Sequence, residues 1–337
     1  MFKNILASII LIRCSLLGIG IFSILLVGCN KEKPAVPKEK EAVPEASIAP
    51  VNYLALPNED WTDRTKERLQ FVRNLGDNKS AILSIAVDGT DQRLVVSSGF
   101  LDSSGLVSIR DVPRRSPDRR YVAIAGVNKG DEYGIAILDL KNKTGKVICS
   151  GTTSHPIWSL DGTTLFFFFK AKEVAYRMAS GKIDTIKGDN PSMTGQLGFS
   201  DKPQIFGFRE SGYVITDYDG RTKRISEFIS KLEAGALMGN IGEISQNGNF
   251  LATRFYHEVL VVDISHADHI AFKDSLPERA MSLNSDGKII YYVSSKTVTL
   301  IGLNWESGKE NQIMNDDVEH VSGLTTLFIG SNQAYIQ

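Results

Sequence analysis

Cysteine is scarce, three in 337 residues, which excludes a disulfide-stapled scaffold and leaves too few thiolates for a sulfur-rich metal cage. Net charge is nearly absent too: 38 basic against 39 acidic residues leave −1. A chain without a cationic excess lacks the electrostatic footprint of a nucleic-acid binder, so no nucleic-acid partner is expected. No Gly-x-Ser-x-Gly elbow, Walker loop or Gly-x-Gly-x-x-Gly fingerprint occurs, so serine-hydrolase and nucleotide chemistry lack their sequence contexts and no cofactor is expected. What is present is an ordinary globular balance, 42% apolar and 23% charged, enough for one large domain or two small ones.

The N-terminus departs from that balance. Lys3 and Arg13 precede sixteen uncharged residues, Cys14 to Cys29, in the pattern of an export signal. Its end, Leu26, Val27, Gly28 and Cys29, resembles the lipobox of bacterial lipoproteins. That resemblance implies cleavage after residue 28, removing a signal peptide of residues 1–28, and diacylation of the Cys29 sulfur with fatty acids such as palmitate. The competing reading is a membrane-spanning helix from Ile5 to Val27, long enough for a bilayer core of about 30 Å. Arg13 in its middle and the charged, Pro-rich segment behind it oppose that reading. Residues 29–50 hold the acylated cysteine and a Pro/Lys/Glu-rich tether that cannot bury enough apolar surface to fold. In an extended proline-rich conformation it reaches about 60 Å. Asn30, rather than aspartate, follows the anchor, and by the same resemblance this favours the outer membrane, facing the periplasm. Maturation would leave Cys149 as the one remaining thiol, read as a small buried residue.

Residues 51–337 repeat themselves. Ser116 opens "SPDRRYVAIAGV", Ser159 "SLDGTTLFFFF", Ser245 "SQNGNFLATRF" and Asn284 "NSDGKIIYYVS". Each copy has a small polar residue, an Asp- or Asn-centred turn and an apolar strand. Weaker copies at Thr65, Ser200 and Val321 bring the average spacing to about 43 residues, that of a four-stranded propeller blade. Several strands, including "LFFFFK" from Leu165 and "IIYYV" from Ile289, are apolar at consecutive positions. Such strands need burial on both faces, which stacked blades supply without crossover helices.

The segments "PIWSLDGTTLFF" from Pro156, "SPDRRYVAIA" from Ser116 and "ILSIAVDGTDQRLV" from Ile82 resemble the repeats of TolB-type propellers, over most of Thr65 to Gln337. The resemblance implies an all-β propeller and says little about activity. The expected count is seven blades, with six as the alternative if the Thr65 or Val321 copy completes another blade. Closure requires one blade built from both chain ends, and "NYLAL" from Asn52 is the expected outer strand beside the Val321 copy. Residues 60–75 are expected as strand from Leu69, with an amphipathic helix as the alternative.

Candidate chemistry is thin. His266 and His269 have a His-x-x-His spacing, but they fall in a loop and lack a third ligand. His155 and His257 read as structural. Asp217, Asp219 and Gly220 match only a fragment of a calcium loop. Arg110, Arg114, Arg115, Arg119 and Arg120 crowd into eleven residues. Arg114, Arg115, Arg119 and Arg120 are therefore the candidate partner-binding residues, a rim suited to carboxylates or phosphates, with a solvated surface as the alternative. The expectation is a lipid-anchored, non-catalytic propeller that binds another envelope protein or an extended ligand. The alternatives are a lactonase- or lyase-type propeller enzyme and a carbohydrate-binding module.

Overall fold

The computed structural model describes residues 53–330, apart from 152, 160, 171, 187–192, 195–203, 210–211, 218–221, 225–242, 256–257, 264, 266–268, 277, 295, 298 and 315–320. The signal peptide, Cys29 with its lipobox, and the tether lie outside the described residues, as do His257, His266, Asp219 and Gly220.

The described residues form five four-stranded antiparallel sheets and one of five strands. After a 3-10 turn at Tyr53–Ala55 come β1 (Arg68–Gly76), β2 (Lys79–Ala86) and β3 (Arg93–Val96). The short helix α1 (Ser98–Ser103) leads into the first complete blade, built from β4 (Leu106–Ile109), β5 (Arg114–Arg115), β6 (Tyr121–Asn128), β7 (Tyr133–Asp139) and β8 (Thr144–Ser150). Blade 2 holds β9 (Thr153–Trp158), β10 (Thr164–Phe169), β11 (Lys172–Arg177) and β12 (Ile183–Thr185). Blade 3 holds β13 (Met193–Thr194), β14 (Gln204–Arg209), β15 (Gly212–Asp217) and β16 (Thr222–Arg224). Blade 4 holds β17 (Glu243–Ile244), β18 (Phe250–Phe255), β19 (Glu258–Asp263) and β20 (His269–Asp274). Blade 5 holds β21 (Glu278–Leu283), β22 (Ile289–Ser294), β23 (Leu300–Asn304) and β24 (Lys309–Met314).

The last strand, β25 (Val321–Leu327), pairs antiparallel with β1, giving the order β25-β1-β2-β3. This sheet, blade 6, is therefore assembled from both chain regions. The Thr65 and Val321 copies are two parts of one blade, so the expected seven blades are not found: the described residues form six sheets. "NYLAL" is not the closing strand: Tyr53–Ala55 is a 3-10 turn, and "RLQFVRNLG" pairs with β25 instead. Residues 68–76 are strand rather than amphipathic helix, because Leu69, Phe71 and Val72 are buried as neighbours in a pleated sheet.

The consecutive apolar runs are buried in the way that stacked blades require. On β22, Tyr291 and Val293 pack with Leu69, Phe71 and Leu83 of blade 6, while Ile290 and Tyr292 pack with Ala252, Val259 and Val261 of blade 4. On β6, Val122 and Ile124 join Ile82 and Val96, whereas Ala123 and Ala125 join Leu165, Phe166 and Phe167. Alternate residues thus face opposite neighbours, and each fully buried Leu, Ile or Phe contributes about 1.5–3 kcal/mol.

The repeated Ser/Asn turn is one hydrogen-bonded unit. Ser159 Oγ donates to Asp161 Oδ1 (2.6 Å) and accepts from the Thr164 amide (2.9 Å). Ser116 with Asp118 and Tyr121 (2.5 and 2.8 Å), and Ser245 with Asn247 and Phe250 (2.7 and 3.1 Å), repeat the pattern. The fourth turn residue is left-handed, at Gly162 (φ 69°), Gly248 (φ 72°) and Gly287 (φ 80°), as glycine permits. At Gly287 space is also closed, because a Cβ would lie 2.4 Å from Phe250 Cδ2. Gly308 has a similar φ of 69° but nothing within 4 Å. Gly308→Ala should therefore cost about 1 kcal/mol of backbone strain, and Gly287→Ala about 2–4 kcal/mol with overpacking added. Equal losses in denaturant titrations of the two variants would contradict this.

Candidate functional site at the ring closure

The four arginines expected on one rim divide among three sets of intramolecular contacts. Arg120 forks onto Asp139 (Nε–Oδ1 3.0 Å, Nη2–Oδ2 2.6 Å) and covers the Tyr121 ring. Arg114 forks onto Glu243 (Nη2–Oε1 2.9 Å). Arg115 and Arg119 are buried, 3% and 1% exposed. A charged patch for a partner needs solvent-facing guanidiniums, which Arg115 and Arg119 do not offer, while Arg114 and Arg120 are partly exposed beside their carboxylate partners.

Arg119 occupies the turn position that glycine takes in the copies at Ser159, Ser245 and Asn284. Its φ is 62°, a left-handed conformation costing a side-chain-bearing residue about 1–2 kcal/mol. The side chain more than offsets this. Its guanidinium donates to the carbonyls of Asp63 (2.8 Å), Lys66 (3.4 Å), Leu327 (3.0 Å) and Phe328, and hydrogen bonds from a charged donor contribute about 1.5–3 kcal/mol each. Those acceptors lie at the end of β25 and in the segment leading into β1, so one side chain in blade 1 ties together the two chain regions that close blade 6. Burial, then the neighbouring Arg115 charge, lowers the Arg119 pKa to about 10, which leaves it charged at neutral pH.

Beside it lies a second buried charge. Residues 57–63 form a strap whose Glu59 amide donates to Leu94 O (2.9 Å), while the Leu94 amide donates to Pro57 O (3.0 Å). This adds a parallel bridge to the outer edge of β3. The Glu59 side chain, 4% exposed, meets Arg115 Nη2 at 2.8 Å, Arg68 Nε at 3.8 Å and the Ser84 hydroxyl. Burial pushes its carboxyl up, but Arg115, Ser84 and Arg68 together outweigh that and hold it below the ordinary carboxylate range. Arg68 also binds Asp91 (2.8 Å), and Arg115 donates to Gln70 Oε1 (3.3 Å) and to Arg119 O (3.0 Å). Downstream of the strap, Glu67 accepts from the Ser285 amide (3.1 Å) and Tyr291 hydroxyl (3.0 Å), linking this segment to blade 5.

The Arg114–Glu243 pair joins strands β5 and β17 of blades 1 and 4. Arg114 also reaches Thr325 Oγ1 on β25 (3.5 Å), and its carbonyl accepts from Trp158 Nε1 (2.9 Å). A cavity of about 330 Å³ lies between blade 5 and Val87, lined by Ile289, Tyr291, Gly302, Lys309, Asn311 and Ile313 among others. Cys149 is half-buried on β8, where burial raises its thiol to about 11, an inert environment. His155 falls in β9, His269 opens β20 and Asp217 ends β15. Among the described residues no three His, Cys, Asp or Glu side chains are grouped to hold a metal ion.

Glu59, Glu243, Arg68 and Glu67 were not among the expected site residues, because their partners lie 9 to 224 positions away. Arg119 did carry a signal: aligning "SPDRR" with "SLDGT", "SQNGN" and "NSDGK" places it where the other copies have glycine.

No protein-family profile matches the sequence, and no curated protein matches it. Among solved structures, the chain is similar to TolB from Acinetobacter baumannii, with a TM-score of 0.55, 18% identity, and 78% of this chain and 67% of that one covered. A chain of a nidogen/laminin complex gives a TM-score of 0.54 at 10% identity, covering 77% and 98%. At such identities the likeness is one of fold: the described part of the chain is a TolB-like β-propeller.

Two expected outcomes follow from the closure site. Arg119→Gly relieves backbone strain but removes the charged donor, so it should destabilise the fold by about 3 kcal/mol or more; a variant as stable as wild type in denaturant melts would contradict the staple. Glu59→Gln should cost about 3 kcal/mol at neutral pH. Because the folded pKa lies below the unfolded value of about 4.3, this difference is full above that pH and is lost as pH falls through the lower folded value. Asp91, held low by Arg68 and Arg93 despite burial, adds to the acid dependence and shares Arg68 with Glu59. A difference that does not change with pH would contradict the ion pair.

Proposed function

We propose that this chain is a membrane-anchored, non-catalytic propeller lipoprotein, held through Cys29 on the periplasmic side of the outer membrane, that binds another envelope protein or an extended ligand. The observation that carries the non-catalytic part is the Arg114–Glu243 pair: this acid and cation on β17 and β5 are bonded to each other at 2.9 Å rather than presented to a substrate. A rigid ring bearing many loops binds through shape and polar groups without needing a reactive centre. The Leu26-Val27-Gly28-Cys29 sequence and the charged, Pro-rich stretch behind it support the anchored half of the reading.

The test is metabolic labelling with palmitate, followed by membrane fractionation and cross-linked capture from detergent-solubilised envelopes. Wild type should take up label, sediment with outer membranes and capture a discrete protein. Cys29→Ser should remain unlabelled and lose the membrane association. Label on neither protein would overturn the anchor, and turnover of a lactone or glycan panel without a captured partner would favour an enzyme.

A further inference from the structure

The seam filled by residues 57–63 has the features of a peptide site. Along its backbone the strap extends the edge of β3, through Glu59 N to Leu94 O and Leu94 N to Pro57 O, the main-chain pairing by which an extended peptide adds to a sheet. At its side chain, a carboxylate enters a pocket made by Arg115, Arg68 and the Ser84 hydroxyl. Farther on, the Asp63 carbonyl is received by Arg119.

Three cations line the pocket against one buried carboxylate of the strap, with the exposed Asp63 also in the field of Arg119 and Arg68. Arg68, Arg115 and Arg119 converge there, while Glu59 is the strap's one buried carboxylate, and Asp91 engages Arg68 from the propeller side. Arg119 Nε is buried without a hydrogen-bond partner among the described residues, a donor for which the strap has no acceptor in place. Apart from the Glu59 side chain, the backbone bonds with Leu94 and the Arg119–Asp63 carbonyl bond, the strap is lightly held: Asn58, Asp60, Thr62 and Asp63 are exposed, and the Asp60 and Asp63 carboxylates accept from Thr62 and Thr65 of the same segment. Each attachment is therefore one that another extended segment bearing a glutamate could reproduce.

We propose that the seam between β3 and the Arg68–Arg115–Arg119 cluster is a binding site for an extended, glutamate-bearing peptide segment of a partner, and that residues 57–63 are its built-in occupant. The ligand class follows from the resident: backbone pairing selects an extended peptide over a free anion, and the arginine pocket selects a carboxylate side chain. The inference deepens the binding-module reading by naming the surface and the partner's chemistry, and it stands whether or not Cys29 is acylated. An intramolecular occupant at high effective concentration holds the site closed against weak competitors and yields to a segment with more carboxylates.

The test supplies the strap in trans. A fluorescent peptide of residues 53–66 is titrated into full-length wild type and full-length Glu59→Ala, with binding read by anisotropy. Glu59→Ala should bind it at least about tenfold more tightly than wild type, because its own strap has lost the carboxylate. A peptide with Gln in place of Glu59 should bind that variant about tenfold more weakly, as expected for loss of a charged hydrogen bond. No saturable binding by a folded Glu59→Ala protein, or equal affinity for the two peptides, would overturn the proposal. Should Glu59→Ala be too unstable to titrate, sodium acetate and sodium chloride are compared at equal ionic strength. A larger rise in Tm with acetate, seen in the variant and not in wild type, supports a carboxylate site, and identical responses overturn it.

Discussion

A stack of sheets around an axis has no free face, and it holds only if the last sheet meets the first. This closure constraint governs the rest of the molecule. Two-sided burial makes a blade depend on both neighbours: the β22 residues Ile290 and Tyr291, adjacent in sequence, belong to cores shared with different blades. A ring open at one seam would expose the apolar faces of blade 6 and its neighbours. The chain meets the constraint by pairing β25 with β1 and then fastening that joint with polar groups from a third place, the first turn of blade 1.

The fastening uses strain that the turns at Ser159, Ser245 and Asn284 avoid. Gly162, Gly248 and Gly287 take the left-handed turn position at little cost, but Arg119 takes it with a full side chain. That is stable because its hydrogen bonds outweigh a backbone penalty of about 1–2 kcal/mol. Glu59, Arg115 and Arg68 form the adjoining half of the joint, with opposite charges at contact distance and a hydroxyl completing the shell. Buried ion pairs of this kind add little over an apolar substitute, yet are costly to break. They suit a joint that must be specific and that can release when a competing carboxylate replaces the resident one.

The architecture was legible because its signals are local and periodic. The Ser/Asn turns at 116, 159, 245 and 284 recur with the blades, and the run Leu165 to Phe168 required burial on both sides. The blade count was harder to read, since the Thr65 and Val321 copies look like two repeats until their strands are seen paired in one sheet. The arginine contacts were hidden for a related reason: five cations within eleven residues resemble a surface patch when their partners Glu59, Asp139 and Glu243 are distant in sequence. Long-range pairing decides whether an arginine is a recognition group or a brace, and nothing local to residues 110–120 encodes it, apart from an arginine standing at a glycine position.

Native-state hydrogen exchange on the amides of β25 and β1 tests the closure account most directly. If the joint is the element on which the ring depends, the paired amides of Gln70, Val72 and Thr325 should exchange only through global unfolding, with the same free energy as the β6 and β22 cores. Exchange of β25 through a lower-energy local opening, with the other blades still protected, would show that the ring stands without its seam and would contradict the account.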